Sequence, residues 1–152
     1  MHEISRKSGF TLIELAIVIA IIAILAALAI PGLLRSRVQT DEASAIENLR
    51  TVCEAEFGYH ASQNQFGDFV ALTSNAGADG TAFLDASWVE NVEKSGYVFS
   101  ITSNAGADFV CYADPKEAGI TGVRYFRIDT TGTIRWSKAG RPDADDAEIG
   151  SS

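Results

Sequence analysis

Apolar residues are distributed very unevenly along this chain. From Phe10 to Leu34 there are 25 residues with a single charge, Glu14, and from Leu15 to Ile30 no side chain is polar. Coiled as a helix, such a stretch rises about 38 Å, enough to cross a hydrocarbon core of roughly 30 Å with some tilt. A short polar segment, residues 1–9, precedes it and carries Arg6 and Lys7. Pro31 and Gly32 would ordinarily end a helix, yet beyond them the pattern changes rather than stops. Val38, Ala45, Ile46, Leu49, Cys53 and Phe57 recur at helical spacing, with Asp41, Glu42, Glu47, Asn48, Arg50 and Glu54 between them. This is an amphipathic helix with one face in need of a partner. The two halves read as one long helix from about Phe10 to about His60, kinked at Pro31.

After Gly58 and the polar stretch from Ser62 to Gly67, no period is sustained through Ser95, apart from a helical turn expected near Ala86–Val92. Four short alternating runs follow: Tyr97–Thr102, Phe109–Ala113, Val123–Asp129 and Thr133–Ser137. Each is rich in β-branched or aromatic residues and is bounded by turn formers. Thr130-Thr131-Gly132 is short enough to close the last two into a hairpin. Tyr97, Phe99 and Ile101 share one face, with Phe126, Ile128, Ile134 and Trp136 as inward counterparts. The fold class is therefore α+β, a long kinked N-terminal helix packed on a four-stranded antiparallel sheet. The organisation is an N-terminal segment 1–9, an apolar half-helix 10–34, an amphipathic half-helix 35–61, a connecting loop 62–95, a sheet 96–140 and an acidic, flexible tail 141–152. Thr73–Asp79 and Thr102–Asp108 have the same sequence, TSNAGAD, with unrelated flanks. Shared turn chemistry accounts for the echo, since Asn and Gly supply positive φ and Asp a local hydrogen bond.

Composition narrows the function. The net charge is −8, with 20 acidic and 12 basic residues. No concentrated basic patch offers itself to nucleic acid. His2 and His60 are the only histidines and Cys53 and Cys111 the only cysteines, a poor inventory for catalysis or metal binding. His60 belongs at a helix end or on the surface, without the partners of a catalytic base. The acidic run Asp143–Glu148 lacks the ordered ligand spacing and glycine turn of a calcium loop. No enzymatic activity and no cofactor, calcium included, are expected.

Gly9-Phe10-Thr11-Leu12-Ile13-Glu14, followed by the apolar run and Pro31, resembles the N-terminus of type IV prepilins, the family of type IV pilins and the pseudopilins of type II secretion. The resemblance covers roughly residues 6–34. It implies that Met1–Gly9 is a leader, that a prepilin peptidase cuts between Gly9 and Phe10, and that Phe10 is then N-methylated. Phe10, Glu14 and Pro31 would serve assembly. It also implies single-pass residence in the bacterial inner membrane, with pilus or secretion assembly machinery as partners. A filament of copies of this chain, extracellular as a pilus or periplasmic as a pseudopilus, would then form.

Elementary physics bears on Glu14 separately. A carboxylate one turn into an apolar span costs on the order of 2–3 kcal/mol even on lenient insertion scales, so it needs a partner or must snorkel to the interface. Cleavage would create a partner, the new amine of Phe10, on a staggered neighbour. At ~4 Å and an effective dielectric near 20 the attraction is on the order of 4 kcal/mol before desolvation. Ala16, Ala20, Ala23, Ala26, Ala27 and Ala29 would let neighbouring helices approach closely. Cys53 and Cys111 fall on faces that meet at the helix–sheet contact, so an exported domain could bridge them; the alternative is two small buried apolar residues. The leading function is a pilin that polymerises. A type II secretion pseudopilin is the alternative within the family. Outside it stand a secreted globular protein, with Ala27-Leu28-Ala29 as a signal cleavage site, and a permanently anchored binding domain.

Overall fold

The computed structural model describes residues 10–74, 80–104 and 106–150. The expected leader, Met1–Gly9, and most of the first TSNAGAD copy, Asn75–Asp79, lie outside the described residues. The element order is α1 (Leu12–Gln63), α2 (Phe69–Thr73), β1 (Val92–Lys94), β2 (Tyr97–Ser103), β3 (Phe109–Pro115), β4 (Tyr125–Asp129) and β5 (Ile134–Ser137). Two compact units divide at Ser36 and Arg37.

The first unit is the apolar half of α1. The helix continues through Pro31, which cannot donate the usual bond one turn back. Its large apolar side chains, from Phe10 to Leu34, are 45–88% exposed. Each would gain about 1.5–3 kcal/mol on leaving water, so this surface demands a cover. Among the described residues it is the one helix long and apolar enough to cross a membrane.

The second unit holds the core. The sheet has five strands rather than four, in the order β1-β2-β3-β4-β5, every neighbouring pair antiparallel. The extra strand, β1, pairs Val92 with Phe99 and Lys94 with Tyr97. Ser95 and Gly96 both have positive φ, at 48° and 73°, which is the two-residue turn that suits a twisted hairpin. Two inward rows cross the sheet by register. One runs Phe99, Ala113, Phe126, Trp136 and the other Ile101, Cys111, Ile128, Ile134. The turn between β4 and β5 is the expected one: Asp129 Oδ1 accepts from the Thr131 amide at 2.9 Å and its hydroxyl at 2.6 Å, with Gly132 at φ 71°.

The buried stripe of α1 is rotated from the expected one. It runs Glu42, Ala45, Leu49, Val52, Glu56, Tyr59, with Cys53 and Ala55 beside it. Phe57 lies at the rim, 44% exposed, edge-on to Phe66 and Phe109. Two glutamates on a buried stripe are what shifted the pattern. Glu42 is buried because its carboxylate is fully occupied: Oε1 accepts from the amides of Val123 (2.9 Å) and Arg124 (3.1 Å), and Oε2 from Arg124 Nε and Nη2 at 2.8 Å each. This is also why β4 begins at Tyr125 and not at Val123, since the two preceding amides are turned to the helix.

Three other expectations change. The connecting loop contains α2, capped by Asp68 Oδ1 on the Ala71 amide at 2.8 Å. The helical turn near Ala86–Val92 is instead a pair of tight turns, Asp85–Trp88 and Val89–Val92, which seat Trp88 between Phe69 and Phe99. The acidic tail, expected to be flexible, is docked over residues 141–150. Pro142 is buried, Arg141 binds Asp114 and Ser100, and Glu148 pairs with Arg135 at 2.7 Å. The Trp136 amide donates to Ala147 O, and the Ile149 amide to Ile134 O.

Two outcomes follow from this packing. Glu42→Ala should cost about 2–4 kcal/mol, because it strands two backbone donors and a partly buried guanidinium; the shift in urea midpoint at unchanged slope reports it. A fragment 35–150 should be soluble, monomeric and cooperatively folded, whereas 35–140, which lacks the docked tail, should melt at a clearly lower temperature. Thermal unfolding of the two fragments side by side is the check.

Candidate functional site

The first turn of α1 is where the sequence concentrates candidate chemistry, and the structure gives it a definite form. Thr11 stands immediately before Leu12, the first helical residue. Its hydroxyl oxygen accepts from the Glu14 amide at 3.2 Å, while Glu14 Oε2 accepts from the Thr11 amide at 3.2 Å and its hydroxyl at 2.9 Å. This is a reciprocal capping box, in which Thr-x-x-Glu satisfies amide donors that a helix start leaves open. The carboxylate also sits at the positive end of the helix dipole. The pattern Thr11-Leu12-Ile13-Glu14 is a sequence signal for this cap, and the reading of Glu14 as a lone charge in search of an amine missed it.

Of the other assembly candidates, Phe10 is 79% exposed just outside the capped turn. In the uncut chain its nitrogen is a peptide nitrogen, and the Glu14 carboxylate is engaged by Thr11. Pro31 is seventeen residues further along α1 than Glu14, about 26 Å at the helical rise. Pro31 therefore forms no cluster with the first turn. Gly9 lies outside the described residues. The geometry is that of a solvent-exposed apolar helix with one oriented carboxylate at its start.

The cysteines depart from the expected bridge. Both are free and buried, Cys53 on α1 and Cys111 on β3 between Ile101 and Ile128. Burial pushes the Cys53 thiol up to about 11, aided by the charges of Glu54, Asp129 and Glu56, and it lifts Cys111 well above the ordinary thiol range. The thiolate that would attack to form a disulfide is thus strongly disfavoured at neutral pH. His60 lies in the last turn of α1 and stacks on Phe66 with ring centres 4.5 Å apart. Among the described residues no group of three or more His, Cys, Asp or Glu side chains is placed to hold a metal ion. Two of the acidic tail residues have protein partners, with Asp146 Oδ2 accepting from the Asp143 amide and Glu148 on Arg135.

Known proteins resemble part of this chain. The family model described as the prokaryotic N-terminal methylation motif matches residues 4–30. The chain is 41% identical over 64 residues to the type IV major pilin protein PilA of Myxococcus xanthus, a stretch that is 42% of this chain and 29% of that protein. It is 43% identical over 61 residues to the type IV wide pilus major component PilA4 of Thermus thermophilus, covering 40% of this chain and 47% of that one. With the type II secretion system core protein G of Aeromonas hydrophila it shares 34% identity over 61 residues, 40% of this chain and 43% of the relative. The chain thus spans less than half the length of each of these relatives. No solved structure is significantly similar to it. Residues 4–30, which include the capped first turn and most of the apolar half of α1, thus match the prokaryotic N-terminal methylation motif, and the chain is similar over part of its length to type IV pilins and to a core protein of type II secretion.

Proposed function

We propose that this chain is a structural subunit that polymerises into a type IV pilus once residues 1–9 are removed. The single observation that carries the reading is the exposed apolar half of α1, bearing one carboxylate at its capped start within the matched methylation motif of residues 4–30. In this reading a prepilin peptidase cuts between Gly9 and Phe10 and methylates the new amine of Phe10. The bilayer of the inner membrane covers the apolar helix before assembly, and helices of neighbouring copies cover it afterwards. A heterologous contact that does not close on itself yields a helical filament.

Glu14 would act twice. Within its own chain it caps α1. Across the filament its carboxylate would face the Phe10 amine of a neighbour, which sets the stagger between subunits. The role is structural and involves no reaction by the chain itself. A second reading, a pseudopilin in a short periplasmic filament, is favoured by the similarity to the type II secretion core protein G. Both readings share the processing and the contact at Glu14, and they differ in which machinery extends the filament.

Intact-mass and N-terminal peptide analysis of the mature protein should find Phe10 first and carrying one added methyl group. An N-terminus at Ile30 would place the protein with ordinary secreted proteins, and one at Met1 with permanent anchors. A pair of substitutions separates the two tasks of Glu14. Glu14→Gln keeps an acceptor oxygen for Thr11 and removes the charge, whereas Glu14→Val removes both. Both variants should insert into membranes, and sheared-filament yield should fall at least about tenfold in each, the effect of roughly 1.4 kcal/mol. Wild-type yield from Glu14→Gln would restrict Glu14 to capping.

A further inference from the structure

The buried stripe of α1 contains two glutamates that are treated in opposite ways. Glu42 has four donors, a guanidinium among them. Glu56, fourteen residues on, is 0% exposed and has one. The Gly67 amide donates to Oε2 at 2.9 Å, while Oε1 is buried without a hydrogen-bond partner among the described residues. The donor is held there by shape. A Cβ on Gly67 would stand 3.0 Å from Ala71 Cβ and 3.2 Å from the Tyr59 ring, tighter than ordinary packing.

We propose that Glu56 is a pH-sensitive latch, whose neutral carboxyl fastens the segment Asn64–Asp68 to α1 and whose ionisation loosens that segment. The segment has a second fastening on the other side, where the Phe66 amide donates to Gly106 O at 2.9 Å and Ser103 Oγ donates to Phe66 O at 3.3 Å. Loosening at Glu56 can therefore be local. The groups facing Glu56 give an ionised carboxylate no support. Asp68 on the segment itself is acidic, Cys53 on α1 and Cys111 on β3 are thiols that its charge disfavours further, and among the described residues no cation pairs with it. Burial raises the Glu56 carboxyl to about 7; the Gly67 hydrogen bond opposes the rise and the nearby Asp68 charge adds to it.

The sign follows from linkage. In an opened segment the carboxyl returns toward its ordinary 4.5, so between that value and about 7 the closed form binds more protons than the open one. The closed form is thus most stable below pH 4.5, and this contribution is lost as pH rises through 7. With those two values the closed-to-open ratio drops about tenfold between pH 6 and pH 9.

The test is hydrogen exchange by mass spectrometry on the full chain in detergent micelles, with rates corrected for the intrinsic effect of pH. Protection of the peptide containing Gly67 should fall about tenfold from pH 6 to pH 9. It should stay level in Glu56→Gln and still fall in His60→Phe, which removes the neighbouring imidazole. A level wild-type profile overturns the proposal, as does an equal fall in Glu56→Gln, or loss of the effect in His60→Phe. Should Glu56→Gln fail to fold by circular dichroism, the infrared carbonyl band of a protonated carboxyl is followed in the wild type. Its loss between about pH 6 and pH 8 supports the latch, and its absence at pH 6 overturns it.

Discussion

A carboxylate taken out of water must recover, bond for bond, the donors it gave up there. Glu42 does so at a single point, and much of the second unit is arranged around that point. Its donors come from the chain just before β4, so the approach of α1 to the sheet and the start of β4 are decided together. Arg124, drawn to Glu42, stacks over Phe126 and Trp136 with its guanidinium carbon 5.2 and 5.3 Å from the ring centres. Tyr97 closes the corner by donating its hydroxyl to Arg124 O at 2.9 Å, and it rests on Gly122, where a side chain would collide with the phenol. Removing the carboxylate would leave three elements without a common reference.

The first unit is governed by the opposite constraint. Nothing in its sequence offers polar cover, and fifteen large side chains between Phe10 and Leu34 remain exposed. Such a surface is tolerable only in lipid or against similar surfaces. The division at Ser36 and Arg37 is thus a division of environments. On one side burial is supplied by the chain itself, and on the other it has to be supplied from outside.

How much of this was legible from sequence depended on whether polarity and burial agreed. Where they agreed, as in the apolar half of α1 and the alternation of β2 through β5, periodicity found the elements and their faces. The reading erred where a polar residue was buried because something satisfied it. Glu42 and Glu56 shifted the centre of the buried stripe of α1, leaving Ile46 partly buried against the core and Phe57 at its rim, and no single-residue property announces that Glu42 has a partner some eighty positions away. Short elements failed for another reason. α2 and β1 are five and three residues long, too brief for a period, although Ser95-Gly96 and the cap at Asp68 were available as local turn signals. The tail was misjudged by composition alone, because two of its acids, Glu148 and Asp146, are spent on Arg135 and on its own backbone. At the N-terminal site Gly9, Phe10 and Glu14 were singled out, but the Thr11 partner that orients Glu14 was overlooked.

The capping box has a mechanical consequence. Helices unravel from their ends, where the first amides have no intrahelical acceptor. In α1 the first turn has no buried residue to hold it, since the buried residues of the helix begin at Glu42. The three hydrogen bonds between Thr11 and Glu14 act as a ferrule on that turn. Axial pull applied at Phe10 must break all three before the first turn can extend, so stiffness at this end is written into a four-residue sequence rather than borrowed from the rest of the molecule.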